Sequence, residues 1–353
     1  MKKLLLVGMN SVHTYNFIKM TEGYFDEILL ITDIINPAYR GKSVAINFSI
    51  GNALHYFSVL SLIRKRAIEF QPTIIHIHQA NTAAWMVLKA IKKMNRPAIV
   101  TAWGSDVLLH PRQGFFYRLM TRQILQSANY LTAVAPFMAT TMQQLAGSDR
   151  PVEIINLGIE PVFPDSKALQ AFLPMKENII FSNRLHKKLY RTDQIIEAFA
   201  AFTCRNKSDW QLVIAGSGPE TGNLRRLVAQ SGITDKVHFV GWISAETNAY
   251  WYRKAKIYAS YPVSDGAPAS LFEAMSAGCI PVLSDLPANK EWVTDKRNGI
   301  ITGQINAVDF ESAMQLSDSS MLLGNYELIV QHASRTRSRK LFFDLYDRVI
   351  ADS

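Results

Sequence analysis

The sequence predicts an α/β protein built from two parallel-sheet domains in series. Three observations carry that expectation. Short apolar runs alternate with amphipathic stretches, the pattern of strand–helix–strand units. The alternation occurs twice, on either side of a Gly/Pro-rich stretch within residues 156–165 that reads Gly158-Ile159-Glu160-Pro161-Val162-Phe163-Pro164. A chain of 353 residues also suffices for two domains of ordinary size.

Taken in order, apolar runs place strands in the first series at residues 3–7, 27–32, 73–78, 98–101, 130–134 and 152–156. Helical periodicity fits residues 82–94 and 114–127. The second series has strands at 178–182, 211–215, 237–240, 256–260, 280–284 and 299–302, with helices at 192–203, 220–231, 244–254 and 270–277. From Glu327 onward the chain reads as helical, and it is basic through Arg335, Arg337, Arg339 and Lys340. Each parallel sheet opens toward a crevice at the C-terminal ends of its strands, so two facing sheets would share one central cleft.

Composition narrows the class. Hydrophobic residues make up 48% and charged residues 19%, which suits a soluble protein with real cores. No run reaches the ~20 apolar residues of a membrane span. Residues 1–8 imitate a signal core, but the run stops at Asn10, Ser11 and His13, so a first strand is expected. Cys204 and Cys279 cannot build a disulfide framework; both read as buried reduced thiols in a cytosolic setting. Net charge is +9, and residues 1–160 hold 16 Lys/Arg against 9 Asp/Glu. Clusters at Arg64-Lys65-Arg66, at Lys92, Lys93 and Arg96, and at Arg118 and Arg122 read as attraction to an anionic inner-leaflet surface or a lipid-linked substrate, or as ordinary solvated helices. The aromatic and basic segment 114–122 reads as an interfacial helix or as core packing. No nucleic-acid partner is expected.

The motif richest in chemistry runs from Ser264 to Gly278. A strand end passes through Asp265, Gly266, Ala267, Pro268, Ala269, Ser270 and Leu271 into a helix with Glu273 in its opening turn. Small residues let backbone approach a ligand, and a helix start offers free N–H groups to an anion. A carboxylate there can hold ribose hydroxyls, so the segment reads as a nucleotide-diphosphate cradle. After the strand at 178–182 comes a cationic turn containing Arg184, Lys187, Lys188 and Arg191. Cations fixed in a low-dielectric site stabilise charge that develops on a departing diphosphate. Arg184 is the primary candidate; Lys188 and Arg191, then Lys187, are candidates for a second cation.

Weaker signals surround these. Gly216 and Gly218 form a Gly-x-Gly-Pro turn that permits close backbone approach, and Trp242 offers a face for stacking on a base or for packing. The loop from Gly8 to Thr14 lacks the dinucleotide G-x-G-x-x-G pattern. There His13 is a candidate for a sugar hydroxyl, while the Asn10-Ser11 pair can cap the next helix. His76 and His78 share one face of a strand without a third ligand, and no Asp-x-Asp occurs, so no metal and no cofactor are expected. Trp103 and Asp106 follow another strand; Asp106 can hold a ligand hydroxyl or cap the next turn.

The 264–282 motif resembles the Glu-x7-Glu signature of retaining GT-B glycosyltransferases, family 4 above all. Asp265 takes the first glutamate's place, and Gly266, Pro268, Ser270, Glu273, Ala274, Met275, Gly278, Pro281 and Val282 match. Arg184 matches the arginine of the family's G-R-L step, whereas Tyr190-Arg191 replaces its K-G. Trp103 stands where many members carry histidine, so no catalytic histidine carries over. The resemblance implies a GT-B fold of two Rossmann-like domains, residues 1–160 and 161–335, with 336–353 crossing back. It implies metal-independent transfer of a hexosyl or N-acetylhexosaminyl group, with retention, from a nucleotide-sugar to a glycan hydroxyl. Arg184, Lys188, Asp265 and Glu273 would form the catalytic set. Gly8, Ser11, Arg191, Gly216, Gly218, Trp242 and the 266–271 loop would touch the donor, and His13, Trp103 and Asp106 the acceptor. The implied setting is O-antigen or capsule synthesis on the cytoplasmic face of the inner membrane. A nucleotide-sugar 2-epimerase and a non-catalytic sugar-nucleotide-binding subunit are the alternative readings.

Overall fold

A computed structural model describes residues 1–206 and 209–353. The chain divides into two compact units, residues 1–157 with 335–353, and residues 158–334. In the first unit the strands are β1 (Lys3–Val7), β2 (Glu27–Thr32), β3 (Lys42–Ala45), β4 (Ile74–His78), β5 (Ala98–Ala102), β6 (Tyr130–Ala133) and β7 (Glu153–Ile154). They form one parallel sheet in the order β3-β2-β1-β4-β5-β6-β7. Helices cover both faces, so β4 and β5 are buried along their whole length, as parallel strands require. The strand order reverses between β1 and β4, which opens a crevice at their C-terminal ends.

The second unit repeats the plan with β8 (Glu177–Ser182), β9 (Gln211–Ala215), β10 (Val237–Gly241), β11 (Ala255–Ser260), β12 (Ile280–Ser284) and β13 (Ile300–Thr302). Their order is β10-β9-β8-β11-β12-β13, again parallel. Here the reversal falls between β8 and β11. One apolar layer centres on Phe199, Phe202, Trp210 and Phe310. The opposite layer centres on Phe181, Tyr252, Tyr258, Phe272 and Met275. Both units are Rossmann-like.

Some elements differ from expectation. β3 and the helices Ala53–Phe70 and Pro136–Ala146 lie outside the predicted set. β3 is a short, mostly exposed edge strand with no apolar run to betray it. Helix Ala53–Phe70 buries Val59, Ile63, Ala67 and Phe70 but leaves Leu54, Phe57 and Ile68 exposed, which blurs its periodicity. The terminal segment is two helices, Ser319–Ala333 and Arg335–Ala351. They break at Ser334, which pairs with Ile159. Cys279 is buried, but Cys204 is exposed near the end of its helix, so the expectation of two buried thiols fails for it.

The last helix belongs to the first unit's core. Phe342, Leu345, Tyr346 and Val349 lie on one stripe, fully buried against Leu4, Phe17, Ile74 and Ile99. Each such side chain contributes about 1.5–3 kcal/mol of burial. A polar line fixes the register: the Tyr346 hydroxyl and Nδ1 of His76 share a 2.7 Å hydrogen bond, Nε2 of His76 and Thr101 Oγ1 lie 2.6 Å apart, and Thr101 bonds Thr132 at 2.6 Å. Burial pushes His76 down to about 3 from the ordinary 6.5. His78 falls well below 6.5, first through burial and then through His76 and His13.

The sign of the resulting pH dependence follows. The folded imidazoles bind protons more weakly than unfolded ones, so the stability they lend is complete above pH ~6.5 and is lost as pH falls. The slope is about 1.4 kcal/mol per pH unit for each histidine. The thermal midpoint should therefore drop between pH 7 and pH 5, above most carboxylate titrations, and the drop should shrink in His76→Gln. Parallel melting curves for the two proteins at both pH values check this; an unaltered drop would mean that His76 protonation does not oppose folding.

Candidate active site

In the second unit the chain segments leaving β8 and β11 meet at the point of strand-order reversal. Arg184 follows β8, and Asp265 lies in the loop between β11 and helix Ala269–Ser276. Arg184 Nη2 donates to Asp265 Oδ2 at 2.7 Å, and Nη1 donates to Ser270 Oγ at 2.9 Å. The guanidinium also lies 4.5 Å from the centre of the Tyr190 ring. The two charged side chains are only 13% and 17% exposed. Burial works against the guanidinium's charge, but Asp265, Tyr258 and Tyr190 outweigh it, so the pKa rises above its ordinary value. Arg184 is a permanent, positioned cation.

Glu273 sits one turn into its helix rather than in the opening turn, which holds no acid. Its Oε2 accepts from Asn248 Nδ2 at 3.1 Å. Asn248 Oδ1 accepts from Asn183 Nδ2 at 2.8 Å, and the same amide donates to the Tyr252 hydroxyl at 2.7 Å. The Tyr258 hydroxyl donates to Asn183 Oδ1, and the Tyr252 hydroxyl donates to the Ser270 carbonyl at 3.0 Å. Burial, then Glu273 and Tyr258, hold the Tyr252 pKa well above 10, so its proton stays in place. Sequence reasoning missed Asn183, Tyr190, Asn248, Tyr252 and Tyr258. Asn183 borders Arg184, a usable hint; nothing local ties Asn248 and Tyr252, one turn apart on helix Ala245–Lys254, to Glu273.

The start of helix Ala269–Ser276 has Pro268 at its cap position and no side-chain cap. The N–H groups of Leu271 and Phe272 return to the Pro268 carbonyl. Those of Ala269 and Ser270 have no acceptor among the described residues, which leaves two amides for an anion. Leu271 is not available to a ligand, since its side chain is wholly in the core and its N–H is used. Gly266 donates its N–H to Asp265 Oδ1 at 2.9 Å, and Ala267 packs on the core.

The candidate cations separate. Arg191 is occupied: Nε donates to the Tyr261 carbonyl at 3.0 Å, Nη2 to the Pro262 carbonyl at 3.1 Å, and the guanidinium lies over the Tyr261 ring. It ties its turn to the end of β11 instead of facing a phosphate. Lys187 and Lys188 are exposed, and among the described residues neither ammonium has a partner. The two turn glycines also serve the chain itself. A Cβ at Gly216 would stand 2.5 Å from the Arg184 carbonyl oxygen, and one at Gly218 would stand 2.5 Å from that of His186. The close approach they permit is to the loop that carries Arg184. Trp242, just past β10, is 75% exposed, which removes core packing as its reason.

In the first unit, Gly8 ends β1, and a Cβ there would press on Thr14 at 2.9 Å. Ser11 caps helix Val12–Met20 by accepting the Thr14 N–H at 3.3 Å, so its hydroxyl has a structural task. His13 is exposed and meets the Trp103 ring edge-on at 5.5 Å; Trp103 in turn lies 4.7 Å from His78. The structure thus brings His13 and Trp103 together and adds His78. Both His78 nitrogens and Trp103 Nε1 are buried without a hydrogen-bond partner among the described residues. Asp106 departs from its expected role. It is buried, and its carboxylate accepts N–H groups of Ala80 at 2.7 Å, Gly104 at 2.8 Å and Trp103 at 3.1 Å. Burial raises its pKa against those donors. It locks two loops and cannot meet an acceptor hydroxyl.

Comparison with known proteins fits this geometry. Residues 164–317 match the family model for glycosyl transferases group 1, and residues 26–163 match that for glycosyltransferase family 4. The chain belongs to the GT-B glycosyltransferases of family 4 type. An uncharacterized glycosyltransferase of Haemophilus influenzae is 32% identical over 36% of this chain and 35% of its own. The GDP-mannose:cellobiosyl-diphosphopolyprenol alpha-mannosyltransferase of Xanthomonas oryzae is 31% identical over 31% of this chain and 30% of its own. The lipopolysaccharide core biosynthesis mannosyltransferase LpsB of Rhizobium meliloti is 31% identical over 50% and 52%. These alignments span 30% to 52% of the relatives' own length. Anabaena HepE, solved with UDP and glucose, shares the fold at TM-score 0.81 and 13% identity over 99% of this chain and 100% of its own.

In this glycosyltransferase the second unit offers a fixed cation, two amides and a carboxylate within one hydrogen-bonded frame, while the first offers the exposed His13 imidazole against the Trp103 indole. Two substitutions test the assignments. Gly218→Ala should force the His186 backbone aside and cost about 1–3 kcal/mol in urea unfolding, with loss of any nucleotide-induced thermal shift. Asp106→Ala should orphan buried N–H groups and cost on the order of 3 kcal/mol in the same assay. A stable Asp106→Ala protein with a raised acceptor KM would instead restore the acceptor role.

Proposed function

We propose that this glycosyltransferase moves a hexosyl or N-acetylhexosaminyl group from a nucleotide-sugar to a hydroxyl of a lipid-linked glycan, with retention and without a metal. The observation that carries the reading is Arg184, held by Asp265 and Ser270 beside the uncapped amides of Ala269 and Ser270. In the proposed step the bond from the sugar's anomeric carbon to the phosphate oxygen breaks, and a bond to the acceptor oxygen forms on the same face. The acceptor's proton passes to the departing phosphate oxygen. Arg184, the helix-start amides and Lys188 stabilise the charge that grows on the diphosphate, a contribution that is stronger in the transition state than before it. No separate nucleophile is required.

Each neighbour then has a task. Asp265 holds the guanidinium until the diphosphate becomes its partner, a role more specific than contact with the sugar. Glu273, steadied by Asn248, takes the ribose hydroxyls, and the exposed Trp242 stacks on the base. The exposed His13, with Trp103 beside it, receives the acceptor. Support for a lipid-linked glycan comes from the relatives, one named for a diphosphopolyprenol substrate and another for lipopolysaccharide core synthesis. We place the enzyme at the cytoplasmic face of the inner membrane, in surface-polysaccharide assembly.

A thermal-shift screen of UDP, GDP, ADP, CMP and dTDP should single out one nucleotide. With its sugar donor, Arg184→Ala should lower turnover at least tenfold while circular dichroism stays native. Glu273→Gln should weaken donor binding in calorimetry. Full activity of Arg184→Ala, or equal affinity of Glu273→Gln, would remove the respective role, and sugar-nucleotide interconversion without an acceptor would favour an epimerase.

A further inference from the structure

We infer that Lys176 and Cys279 form a redox-reversible covalent cross-link, a sulfenamide between Nζ and Sγ that peroxide makes and thiols undo. Lys176 directly precedes β8 and Cys279 directly precedes β12. The pair thus lies at the N-terminal ends of the strands, the opposite end of the sheet from Arg184 and Asp265, and takes no part in the reaction proposed above. Nζ stands 3.6 Å from Sγ. Both residues are removed from water: Lys176 is 8% exposed and Cys279 0%. A lysine at that depth ordinarily has an acid beside it, yet among the described residues no carboxylate pairs with this one. Nζ donates instead to the carbonyls of Tyr252, at 3.0 Å, and Ala255, at 2.6 Å. The thiol faces the same two oxygens, at 3.2 Å and 3.3 Å. Burial lowers the lysine pKa and raises that of the thiol, so both groups are driven toward their uncharged forms. A neutral amine has two N–H groups and a lone pair. The two carbonyls take the N–H groups, and the lone pair is left for the third neighbour, sulfur.

A cavity of about 260 Å³ admits a small oxidant, for Lys176 and Gly278 are both in its wall. Buried thiols are ordinarily inert, because burial withholds the thiolate. Here the amine supplies it. Nζ takes the thiol proton, sulfur attacks one oxygen of hydrogen peroxide, and the O–O bond breaks. The departing hydroxide takes the proton back from Nζ and leaves as water, and Cys279 becomes a sulfenic acid. The Nζ lone pair then attacks sulfur: the N–S bond forms, the S–O bond breaks, and hydroxide leaves with one amine proton as a second water. In sum the sulfur loses two electrons and one peroxide is reduced to two waters. Two molecules of an added thiol reverse the link and leave as their disulfide. The link straps β8 to β12 across β11, the strand between them.

The test exposes the full chain, carrying Cys204→Ser to remove the exposed thiol, to hydrogen peroxide and maps it by non-reducing tryptic mass spectrometry. The expected product is a peptide pair joined through Lys176 and Cys279. It should be lighter than its two parts by two hydrogens, after allowance for oxygen on Met175 and Met275. Trypsin should stop cutting after Lys176, and dithiothreitol should restore both the cut and the free thiol. Lys176→Met should lose the linked pair. A Cys279 that stays a thiol under peroxide, or that appears only as a sulfinic acid or a dimedone-trapped sulfenic acid, overturns the assignment. So does a link from Cys279 to a different lysine. Neither readout involves a nucleotide or an acceptor, so the proposed transfer reaction stands or falls separately.

Discussion

The proposed donor site depends on an ion pair that is costly to bury. Arg184 and Asp265 are largely removed from water, and such pairs often repay little more than their desolvation. Their value here is position. Ser270 and Tyr190 hold the guanidinium from two further directions, so its charge is set before any ligand arrives. Ser270 also joins the cation to the carboxylate. Its hydroxyl meets Arg184, while its carbonyl accepts from Tyr252, whose partner Asn183 leads through Asn248 to Glu273. A disturbance at Arg184 therefore reaches Glu273 through Ser270, Tyr252, Asn183 and Asn248. Gly216 and Gly218 belong to the same frame, because any side chain there would push the Arg184–His186 backbone away.

The two units share a topology but fill their points of strand reversal with different chemistry. In the second unit the positions after β8 and β11 carry opposite charges. In the first, the positions after β1, β4 and β5 carry His13, Gln79 and Trp103, with His78 closing β4. Burial keeps His78 neutral, and Asp106 spends its charge on backbone N–H groups. A charged frame suits a diphosphate; an exposed imidazole set edge-on against an indole, as in His13 and Trp103, suits a polyhydroxylated sugar. The shared fold positions both, and the residues at the strand ends set the difference.

Most strands were legible because parallel strands buried on both faces read as unbroken apolar runs, as in Leu4-Leu5-Leu6-Val7 and Ile280-Pro281-Val282-Leu283. β3 was not, because an exposed edge needs no such run. In the site, Arg184, Asp265, Ser270 and Glu273 were legible from one motif and one cationic turn. The pairing of Arg184 with Asp265 was not, for it joins residues 81 positions apart. Local spacing also misled. Arg191 looked like a phosphate cation, but its left-handed backbone, φ 45°, turns it onto carbonyls at the end of β11. Asp106 looked like an acceptor ligand because sequence does not reveal which backbone N–H groups converge on a buried turn.

Charge is distributed against the simplest expectation. The unit with the proposed donor frame, residues 158–334, holds 17 Lys/Arg and 18 Asp/Glu, whereas the other holds 21 and 11. A dianionic ligand is thus assigned to the unit whose net charge is −1. Bulk charge is the wrong variable for that site: in salt, exposed charges act over about 8 Å, while a half-dry, fixed cation acts at full strength on the group it touches. Arg184, locked in place, needs no surrounding excess. The +10 of the first unit is then unexplained by the donor. Mutual repulsion makes such an excess unfavourable for a compact fold, and an extended anionic surface is the kind of partner that relieves it.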